Sequence, residues 1–374
     1  MMKSRLLIGV ILFFVACVSC NPENPENPEE DDPIFPPSPS WEPTPYNLVI
    51  PPLFPPMDIP ADNPLTVEGV ELGRYLFWEK KLSADGTQSC GSCHLPEHGF
   101  SDPNRFSVGI TGAQGTRQSM SLVNLGWAYN YFWDGRALTL EEQVLEPITN
   151  PIEMNNTWEN ALDQLTADSL YAPMFQAAFG TADITRDRAA KAMASFLRTM
   201  ISANSKFDRE RSGAYMFSVL EETGFNLFQA EGGTNPNTGL PWGGGDCFHC
   251  HGIAGMQMGD YLMHNNGLDA EYSADPGRAG VTGNPLDSGK FKTPSLRNIE
   301  LTAPYMHDGR FQTLEQVIDH YNTGGQISTT VDPFMESAGG GLHLEEIDKI
   351  ALIAFLKTLT DTSFIHNPAF SNPH

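Results

Sequence analysis

Two cysteine pairs, each followed directly by a histidine, carry the clearest chemical signal in this sequence. They stand at Cys90–His94 and Cys247–His251, and both read Cys-x-x-Cys-His. In this pattern two thiols can add to the vinyl groups of a haem while the imidazole ligates its iron, so it is an attachment signal for c-type haem. The thiols are those of Cys90, Cys93, Cys247 and Cys250, and the imidazoles are those of His94 and His251. Two disulfides, or one zinc ion held by four thiolates, are alternatives, but neither needs the histidines.

The length and charge of the chain limit the kinds of protein to which it can belong. It has 374 residues, which is enough for two domains, and 40% of them are hydrophobic, so an ordinary packed core can form. The formal net charge is -24, and the phosphate backbone of a nucleic acid would repel such a protein. The sequence therefore argues against nucleic-acid binding. An acidic surface suits a basic redox partner, although it could equally serve only solubility.

The first 20 residues have the pattern of an export signal. A charged start precedes the apolar run Leu6–Val18, which is too short to span a membrane stably. The run ends in Val-Ser-Cys, which is similar to a bacterial lipoprotein signal with Cys20 as the lipidated N-terminus. Lipidation of Cys17, or a plain secretory signal, is the alternative. We therefore expect a lipid-anchored protein of the bacterial cell envelope, on a periplasmic or outer-membrane surface.

A Pro-rich and acidic stretch, residues 21–63, follows the signal and predicts an extended tether, because such a composition cannot bury a core. Beyond it the apolar spacing is that of helices, and strand signals are weak. Helices are predicted at residues 65–78, 139–147, 158–178, 185–201, 214–229, 313–322 and 344–359. We therefore expect a mainly α fold with long loops and little β structure.

An internal repeat relates the two haem motifs. A Gly-x-x-Leu-Phe segment stands before each motif. After the motifs, Ser121–Asn124 and Ser295–Asn298 begin a register without gaps that runs through Asp-Gly-Arg to Thr-Leu-Glu in both halves. We interpret the chain as two cytochrome c-like domains related by duplication, residues 64–204 and residues 205–374.

The two halves differ at one position of this register, where Tyr321 stands opposite Pro147. A tyrosine oxygen can ligate haem iron, whereas proline has no donor atom. The haem on His251 would then be closed on both faces and suited to electron transfer, and the haem on His94 would keep an open face for O2 or peroxide. Core packing of Tyr321, with its hydroxyl at an edge, is the alternative. Two methionines are alternative ligands, Met306 and Met335.

Two polar residues, Gln143 and Glu153, lie near Pro147 in the sequence. A haem that splits peroxide needs a base that takes a proton from one peroxide oxygen and delivers it to the other. A carboxylate in an apolar pocket does this well. Glu153 is therefore a candidate acid/base, and a surface glutamate that begins a helix is the alternative.

Together these motifs resemble the di-haem cytochrome c peroxidase family, including its MauG-type branch, over about residues 60–360. The resemblance rests on both haem motifs and on Phe132–Arg136, Asn150–Met154 and Thr302–Arg310. It implies a peroxidatic N-terminal haem and an electron-relaying C-terminal haem.

The resemblance also implies roles for single residues. Glu153 becomes the catalytic glutamate, Gln143 its companion, and Trp133 the tryptophan between the haems. Ile110 stands where many of these peroxidases have a distal histidine, and Tyr321 stands where they have a ligating methionine. Both departures are similar to the MauG-type branch, which has a tyrosine ligand and an open first haem. Tyr321 is then the expected ligand, and peroxide binding needs no prior reductive opening.

The family's interdomain calcium falls on Gln118, Thr302 and Pro304, the last two through backbone carbonyls. An asparagine is usual at the first position, and glutamine keeps the amide oxygen but moves it by one methylene. The MauG-type enzyme that oxidises a partner protein has a surface tryptophan two residues before its second haem motif. Gly245 stands there in this chain, so that protein substrate is not supported.

We therefore expect a peroxidase that reduces hydrogen peroxide to water with electrons from a small c-type cytochrome or a similar donor. Its expected cofactors are two covalently attached haem c groups and one calcium ion. The alternatives are MauG-like oxidation of a protein or small molecule through high-valent haems, and a di-haem electron carrier that is not an enzyme. The sequence leaves open a homodimer.

Overall fold

The computed structural model describes residues 41–235, 237–253, 256–337 and 340–374. The export signal, Cys20 and the first part of the predicted tether lie outside the described residues. Residues Glu42–His374 form one compact unit. The described part is mainly helical and contains a two-stranded sheet, so the expected mainly α fold is confirmed. None of its helices has the length and apolar character needed to cross a membrane.

The helices that the structure describes are mostly short, and most loops between them are long. They are α1 (Val67–Trp78), α2 (Leu140–Gln143), α3 (Glu146–Thr149), α4 (Trp158–Ala167), α5 (Tyr171–Phe179), α6 (Arg186–Thr199), α7 (Lys206–Arg211), α8 (Val219–Gln229), α9 (Ala279–Thr282), α10 (Leu314–Asn322), α11 (Pro333–Ser337), α12 (Glu346–Lys357) and α13 (Thr362–Ile365). The strands β1 (Met263–His264) and β2 (Phe291–Lys292) pair antiparallel, with Met263 opposite Lys292.

The fold contains two closely packed helix pairs, α1 with α6 and α8 with α12. In each pair a glycine permits close approach of the two backbones. A Cβ atom on Gly73 would lie 1.9 Å from the carbonyl oxygen of Ala192. A Cβ atom on Gly224 would lie 1.9 Å from the carbonyl oxygen of Ala351. Any side chain at either glycine would therefore force the helices apart.

Two separate hydrophobic clusters form around these pairs. The first cluster is built mainly from α1, α4, α5 and α6, and Cys90 packs against it. The second cluster is built mainly from α8, α10 and α12, and Cys247 packs against it. Each haem motif therefore adjoins a cluster of its own. The domain bounds at residues 64–204 and 205–374 stay a prediction.

Two predicted helices are divided in the structure. The helix predicted over residues 158–178 is α4 and α5, because Asp168 has an extended backbone with φ -91° and ψ 119°. Its Oδ1 accepts a hydrogen bond of 2.9 Å from the backbone N–H of Leu170, and such a local bond competes with the helix. The helix predicted over residues 139–147 ends at Gln143 and resumes as α3, which carries Pro147 in its first turn, where the missing N–H is tolerated.

Part of the predicted tether packs against the folded unit, which corrects the expectation that all of residues 21–63 is extended and free. Phe54 is buried in the second cluster, with its ring centroid 5.2 Å from that of Trp127. Trp127 Nε1 donates a hydrogen bond of 2.9 Å to the carbonyl oxygen of Pro55. One phenylalanine among the prolines thus supplies the apolar surface that anchors this stretch.

The C-terminal residues return to the first cluster. Phe364 and Phe370 are buried there, although they follow the second haem motif in the chain. Trp78 Nε1 donates a hydrogen bond of 3.1 Å to the carbonyl oxygen of Phe370. Arg74 Nε donates one of 2.9 Å to the carbonyl oxygen of Ser371. The tail therefore packs along α1.

Candidate haem sites

The first haem motif opens onto a cavity of about 720 Å³, which we call cavity 1. Cys90, Cys93 and His94 line it. His94 Nδ1 lies 2.9 Å from the carbonyl oxygen of Phe100, and a carbonyl can only accept, so Nδ1 carries the proton. This bond fixes the ring and leaves the Nε2 lone pair for a metal, as in most histidine-ligated metal sites.

The second haem motif opens onto a cavity of about 260 Å³, which we call cavity 2. Cys247, Cys250 and His251 line it. His251 Nδ1 lies 3.1 Å from the carbonyl oxygen of Met258, so its ring is fixed in the same way as that of His94. Burial lowers the pKa of His251 to about 4, which keeps the imidazole neutral and able to ligate.

The four thiols fit covalent haem better than the alternatives. They are free in the structure and lie as two pairs in two different cavities. A zinc site made from all four thiolates is therefore excluded, and the described cysteines form no disulfide. Burial raises the pKa of Cys90 and Cys247 to about 12. A pair of neutral thiols beside a fixed imidazole is the donor set that c-type haem requires.

The remaining wall of cavity 1 carries the acid/base candidate. Gln143, Pro147 and Glu153 all line this cavity, so the structure brings together the residues that the sequence placed near one another. Burial raises the pKa of Glu153. Asn150 Nδ2 donates a hydrogen bond of 2.6 Å to Glu153 Oε1, which lowers that pKa in part.

Ile110, which stands at the position that the resemblance assigns to a distal histidine, makes backbone contacts instead. Ile110 N donates a hydrogen bond of 3.0 Å to the carbonyl oxygen of Glu153, and the Ile110 side chain is not among the residues that line cavity 1. A Cβ atom on the neighbouring Gly109 would lie 2.2 Å from the carbonyl oxygen of Ile152. Only glycine lets this loop approach the Glu153 turn so closely. The loop therefore supports the glutamate and offers no imidazole.

The wall of cavity 2 carries all three candidate ligands of the second haem. Tyr321, Met306 and Met335 line this cavity, and one amide contacts the first two. Asn266 Nδ2 lies 3.3 Å from the Tyr321 hydroxyl oxygen and 3.4 Å from the Met306 sulfur. Burial raises the pKa of Tyr321 to about 12. Tyr321 and Pro147, which share one position of the repeat register, thus line the two different cavities.

Trp133 lies between the cavities and lines both. Its Nε1 donates a hydrogen bond of 2.8 Å to the carbonyl oxygen of Gln118. His307 stands at the same register position in the second half, and it also lines both cavities. The His307 ring stacks on Phe291 with centroids 3.7 Å apart. The rings of Trp133 and His307 therefore form part of the wall that the two cavities share.

The three calcium candidates, Gln118, Thr302 and Pro304, line cavity 2 together. The Gln118 amide donates a hydrogen bond of 3.1 Å to the carbonyl oxygen of Asp102, which holds the side chain in place. Amide and backbone oxygens are ligands that calcium accepts. The residues fit a calcium site in type, and occupancy stays a prediction.

The positions of His307 and Asn266 at these sites were not predicted from the sequence. His307 could have been found, because the repeat register sets it opposite Trp133. Asn266 had no sequence signal, since it belongs to no motif and lies 55 residues from Tyr321 in the chain. Glu231, Asp246 and His249 form a separate group of possible metal ligands. Among the His, Cys, Asp and Glu side chains of the described residues, these three lie close enough together to hold a metal ion.

Comparisons with known proteins place this geometry in a family. The sequence model of the di-haem cytochrome c peroxidases matches residues 67–215. The methylamine utilization protein MauG of Methylorubrum extorquens is 35% identical over 306 residues, which cover 80% of this chain and 80% of that protein. The cytochrome c551 peroxidase of Nitrosomonas europaea is 36% identical over 306 residues, covering 81% of this chain and 83% of that protein.

Solved structures agree with these relatives. A MauG-like protein associated with microbial copper homeostasis superposes with a TM-score of 0.77 at 36% identity, covering 88% of this chain and 99% of that chain. The di-haem peroxidase BthA of Burkholderia thailandensis superposes with a TM-score of 0.67 at 22% identity, covering 81% of this chain and 88% of that chain, which supports the fold alone. The fold of the described residues therefore occurs in solved proteins.

Proposed function

Because the chain belongs to the di-haem cytochrome c peroxidase family, which includes MauG, we propose that this oxidoreductase reduces hydrogen peroxide to water. The observation that carries the proposal is the difference between the cavities: cavity 1 has a half-buried carboxyl group at Glu153, and cavity 2 has the oxygen of Tyr321. Membership implies two c-type haems, which supply the irons for peroxide binding and electron transfer when attached. The donor would be a small c-type cytochrome or a similar redox protein.

Glu153 is the proposed acid/base. Peroxide takes up two electrons and two protons to give two water molecules, so one group must move a proton between its oxygens. Asn150 holds Glu153 Oε1, and we assign the proton transfer to Oε2. Burial brings the carboxyl pKa closer to neutral pH, where a group can both accept and donate a proton. Gln143, on the same cavity wall, would orient peroxide through its side-chain amide.

Tyr321 is the proposed iron ligand in cavity 2, and Met306 and Met335 are the alternatives. Tyr321 and Met306 lie within hydrogen-bonding range of Asn266 Nδ2. Tyrosine ligation of haem iron is established chemistry. The Asn266 amide would orient the phenol oxygen toward the iron by donating a hydrogen bond to it.

Trp133 is the proposed link between the two sites. It lines both cavities, and its indole is fixed by the bond to the Gln118 carbonyl. Electrons would enter at the second haem motif and pass by this ring to cavity 1.

MauG-type oxidation of a protein or small molecule is the second candidate. It is favoured by Tyr321 in cavity 2 and by the similarity to the MauG protein of Methylorubrum extorquens and to a solved MauG-like protein. The absence of a tryptophan at Gly245 argues against the known protein substrate. A carrier without enzymatic activity is the third candidate, and Glu153 in cavity 1 argues against it.

We also propose that the two halves arose by duplication. Besides the glycines of the helix pairs, the rings of Phe77 and Phe196 lie 5.5 Å apart in the first pair. The rings of Phe228 and Phe355 lie 5.1 Å apart in the second. Three pairs of residues in register share a positive φ: Asn124 and Asn298, Phe132 and Met306, Gly135 and Gly309. A repeated Phe-Leu-basic-Thr segment closes the second helix of each pair, and its threonine is the last residue of α6 and the first residue after α12.

Calcium, a lipid anchor and a second subunit are the other proposed partners of the enzyme. Calcium would bind Gln118, Thr302 and Pro304 at the wall of cavity 2. Lipidation at Cys20 would anchor the chain in the bacterial cell envelope, on a periplasmic or outer-membrane surface, which agrees with covalent haem attachment outside the cytoplasm. A homodimer is compatible with these assignments.

Steady-state peroxide turnover with a panel of donors, including reduced cytochromes c, tests the proposed function. We expect two molecules of reduced cytochrome c to be oxidised for each peroxide. Oxidation of a protein or small molecule without cytochrome c turnover would favour the MauG-type reaction. A holoprotein whose haem spectrum does not respond to peroxide would be a carrier.

A further inference from the structure

Lys292 is a buried cation at the wall between the two cavities. Its side chain is 3% exposed and lines both cavities. The ammonium donates a hydrogen bond of 3.2 Å to the carbonyl oxygen of Asn130 and lies 5.6 Å from the centroid of the Tyr131 ring. An ammonium has three N–H donors, so the Asn130 carbonyl satisfies one of them.

The other cations around cavity 1 contrast with Lys292. Four arginines line this cavity, and each lies in an ion pair with a carboxylate: Arg105 with Asp308, Arg117 with Asp275, Arg136 with Glu146, and Arg310 with Asp269. Among the described residues no carboxylate pairs with Lys292, and burial alone lowers its pKa to about 8. The cavity therefore contains one ammonium whose counter-charge the described chain does not provide.

An unpaired buried ammonium is costly, whereas one that meets a carboxylate in good geometry is tolerated. Haem carries two propionate carboxylates. The Tyr131 ring beneath the ammonium lines cavity 1, so the charged end of Lys292 lies on that side of the wall. We propose that Lys292 binds a propionate carboxylate of the haem attached at Cys90–His94.

The repeat register and the hydrogen bonds explain why this position matters. Lys292 occupies the register position of Gln118, three residues before the repeated serine. The Lys292 backbone N–H donates a hydrogen bond of 2.8 Å to the carbonyl oxygen of Trp133, and Trp133 Nε1 donates to Gln118. Lys292 is thus a positioning residue beside the proposed electron path. Its charge would favour the reduced state of the first haem by compensating a propionate.

This inference rests on the haem attachment of the proposed function, and it is independent of peroxide turnover. The test uses the holoprotein without peroxide and measures the midpoint potential of each haem and the propionate bands in resonance Raman spectra. In Lys292→Met we expect about a tenfold loss in the equilibrium constant for reducing the first haem, which is about 59 mV to lower potential for one electron. The second haem should shift less, and the first-haem propionate bands should move.

Two further variants separate charge from structure. Lys292→Gln keeps a donor for Asn130 but removes the charge, so it should reproduce the shift of potential even if Lys292→Met folds poorly. Lys290→Met is the matched control, because Lys290 pairs with Asp287 and lines neither cavity, and it should leave both potentials unchanged. Unchanged potentials and propionate bands in Lys292→Gln would overturn the proposal.

A small anion from solvent is the other source of a carboxylate. Formate added to the wild-type holoprotein should leave the first-haem spectrum unchanged, because the propionate already occupies the ammonium. A saturable spectral shift with formate that disappears in Lys292→Gln would show an open anion site and would overturn propionate pairing.

Discussion

Asn266 Nδ2 lies 3.3 Å from the hydroxyl oxygen of Tyr321. The two residues come from different segments, the loop after β1 and the last turn of α10, and meet at the wall of cavity 2. A phenol oxygen that accepts a hydrogen bond from an amide, on a residue that lines the same cavity as His251, is placed differently from an ordinary packed tyrosine. This contact therefore supports the ligand assignment.

Replacement of Tyr321 by phenylalanine tests that assignment. We expect the spectrum of the second haem to change, because the ring is kept but the ligating oxygen is lost, while the first haem keeps its spectrum. Tyr305→Phe is the control, since Tyr305 also lines cavity 2 but its hydroxyl donates to the carbonyl oxygen of Ile299 at 3.0 Å. An unchanged second haem in Tyr321→Phe would exclude Tyr321 as the ligand and leave Met306 and Met335.

Replacement of Glu153 by glutamine should lower the rate of peroxide reduction by about 10²- to 10⁴-fold, the usual contribution of a general acid/base. The amide keeps the shape of the side chain but cannot accept the peroxide proton. Both haems should remain attached, as judged by their absorbance after denaturation. Glu159→Gln changes an exposed glutamate and should have wild-type turnover. Equal turnover in the two variants would remove Glu153 from the mechanism.

The pH dependence of the peroxide reaction should report the same carboxyl group. Burial raises the pKa of Glu153, so the carboxylate is lost by protonation at a higher pH than for an ordinary glutamate. The rate should therefore fall as the pH decreases, with a midpoint above the usual glutamate pKa of about 4.3. Asn150→Ala removes a bond that lowers the pKa, and it should move the midpoint to still higher pH. A rate that does not depend on pH in the wild type contradicts this account.

Replacement of Trp133 by phenylalanine should slow electron delivery to cavity 1 more than it slows the first reaction with peroxide. The smaller ring loses the bond to Gln118 and leaves a gap in the wall. Stopped-flow mixing of the fully reduced holoprotein with peroxide separates the two steps. Trp127→Phe is the control, because Trp127 bonds to Pro55 and lines neither cavity. Identical kinetics in both variants would exclude Trp133 from the path.

Gly73→Ala and Gly224→Ala should each destabilise the fold, by about 1–3 kcal/mol, because a methyl group would overlap the facing helix backbone. Denaturant unfolding followed by far-UV circular dichroism measures the loss. Gly280→Ala places a methyl group 3.2 Å from the Pro276 side chain in a short surface helix and should cost little. Similar losses at Gly73 and Gly224 are expected from a repeated fold, and a stable Gly224→Ala would weaken the duplication proposal.

Where the two halves share a register, the sequence predicted which residues lie at which cavity. Pro147 and Tyr321 could be assigned to opposite cavities because one alignment carries both positions, and cysteine spacing is a local pattern. Contacts between distant segments have no such signal. Asn266 meets Tyr321, and Lys292 meets Asn130, only after the chain has folded. The break at Asp168 was missed because apolar spacing continues across it, while a single carboxylate bond to Leu170 ends the helix.

The segment that packs on α1 has a consequence for the first haem motif. No side chain fits at Gly91 inside this motif, since a Cβ there would lie 2.1 Å from the Trp78 indole, and the same indole donates a hydrogen bond to the carbonyl oxygen of Phe370. Trp78 and Phe370 stand 292 residues apart in the chain. The ring that backs the loop between Cys90 and Cys93 is thus fastened by a distant segment, so a change at Phe370 can loosen the first haem motif without altering any residue of the motif itself.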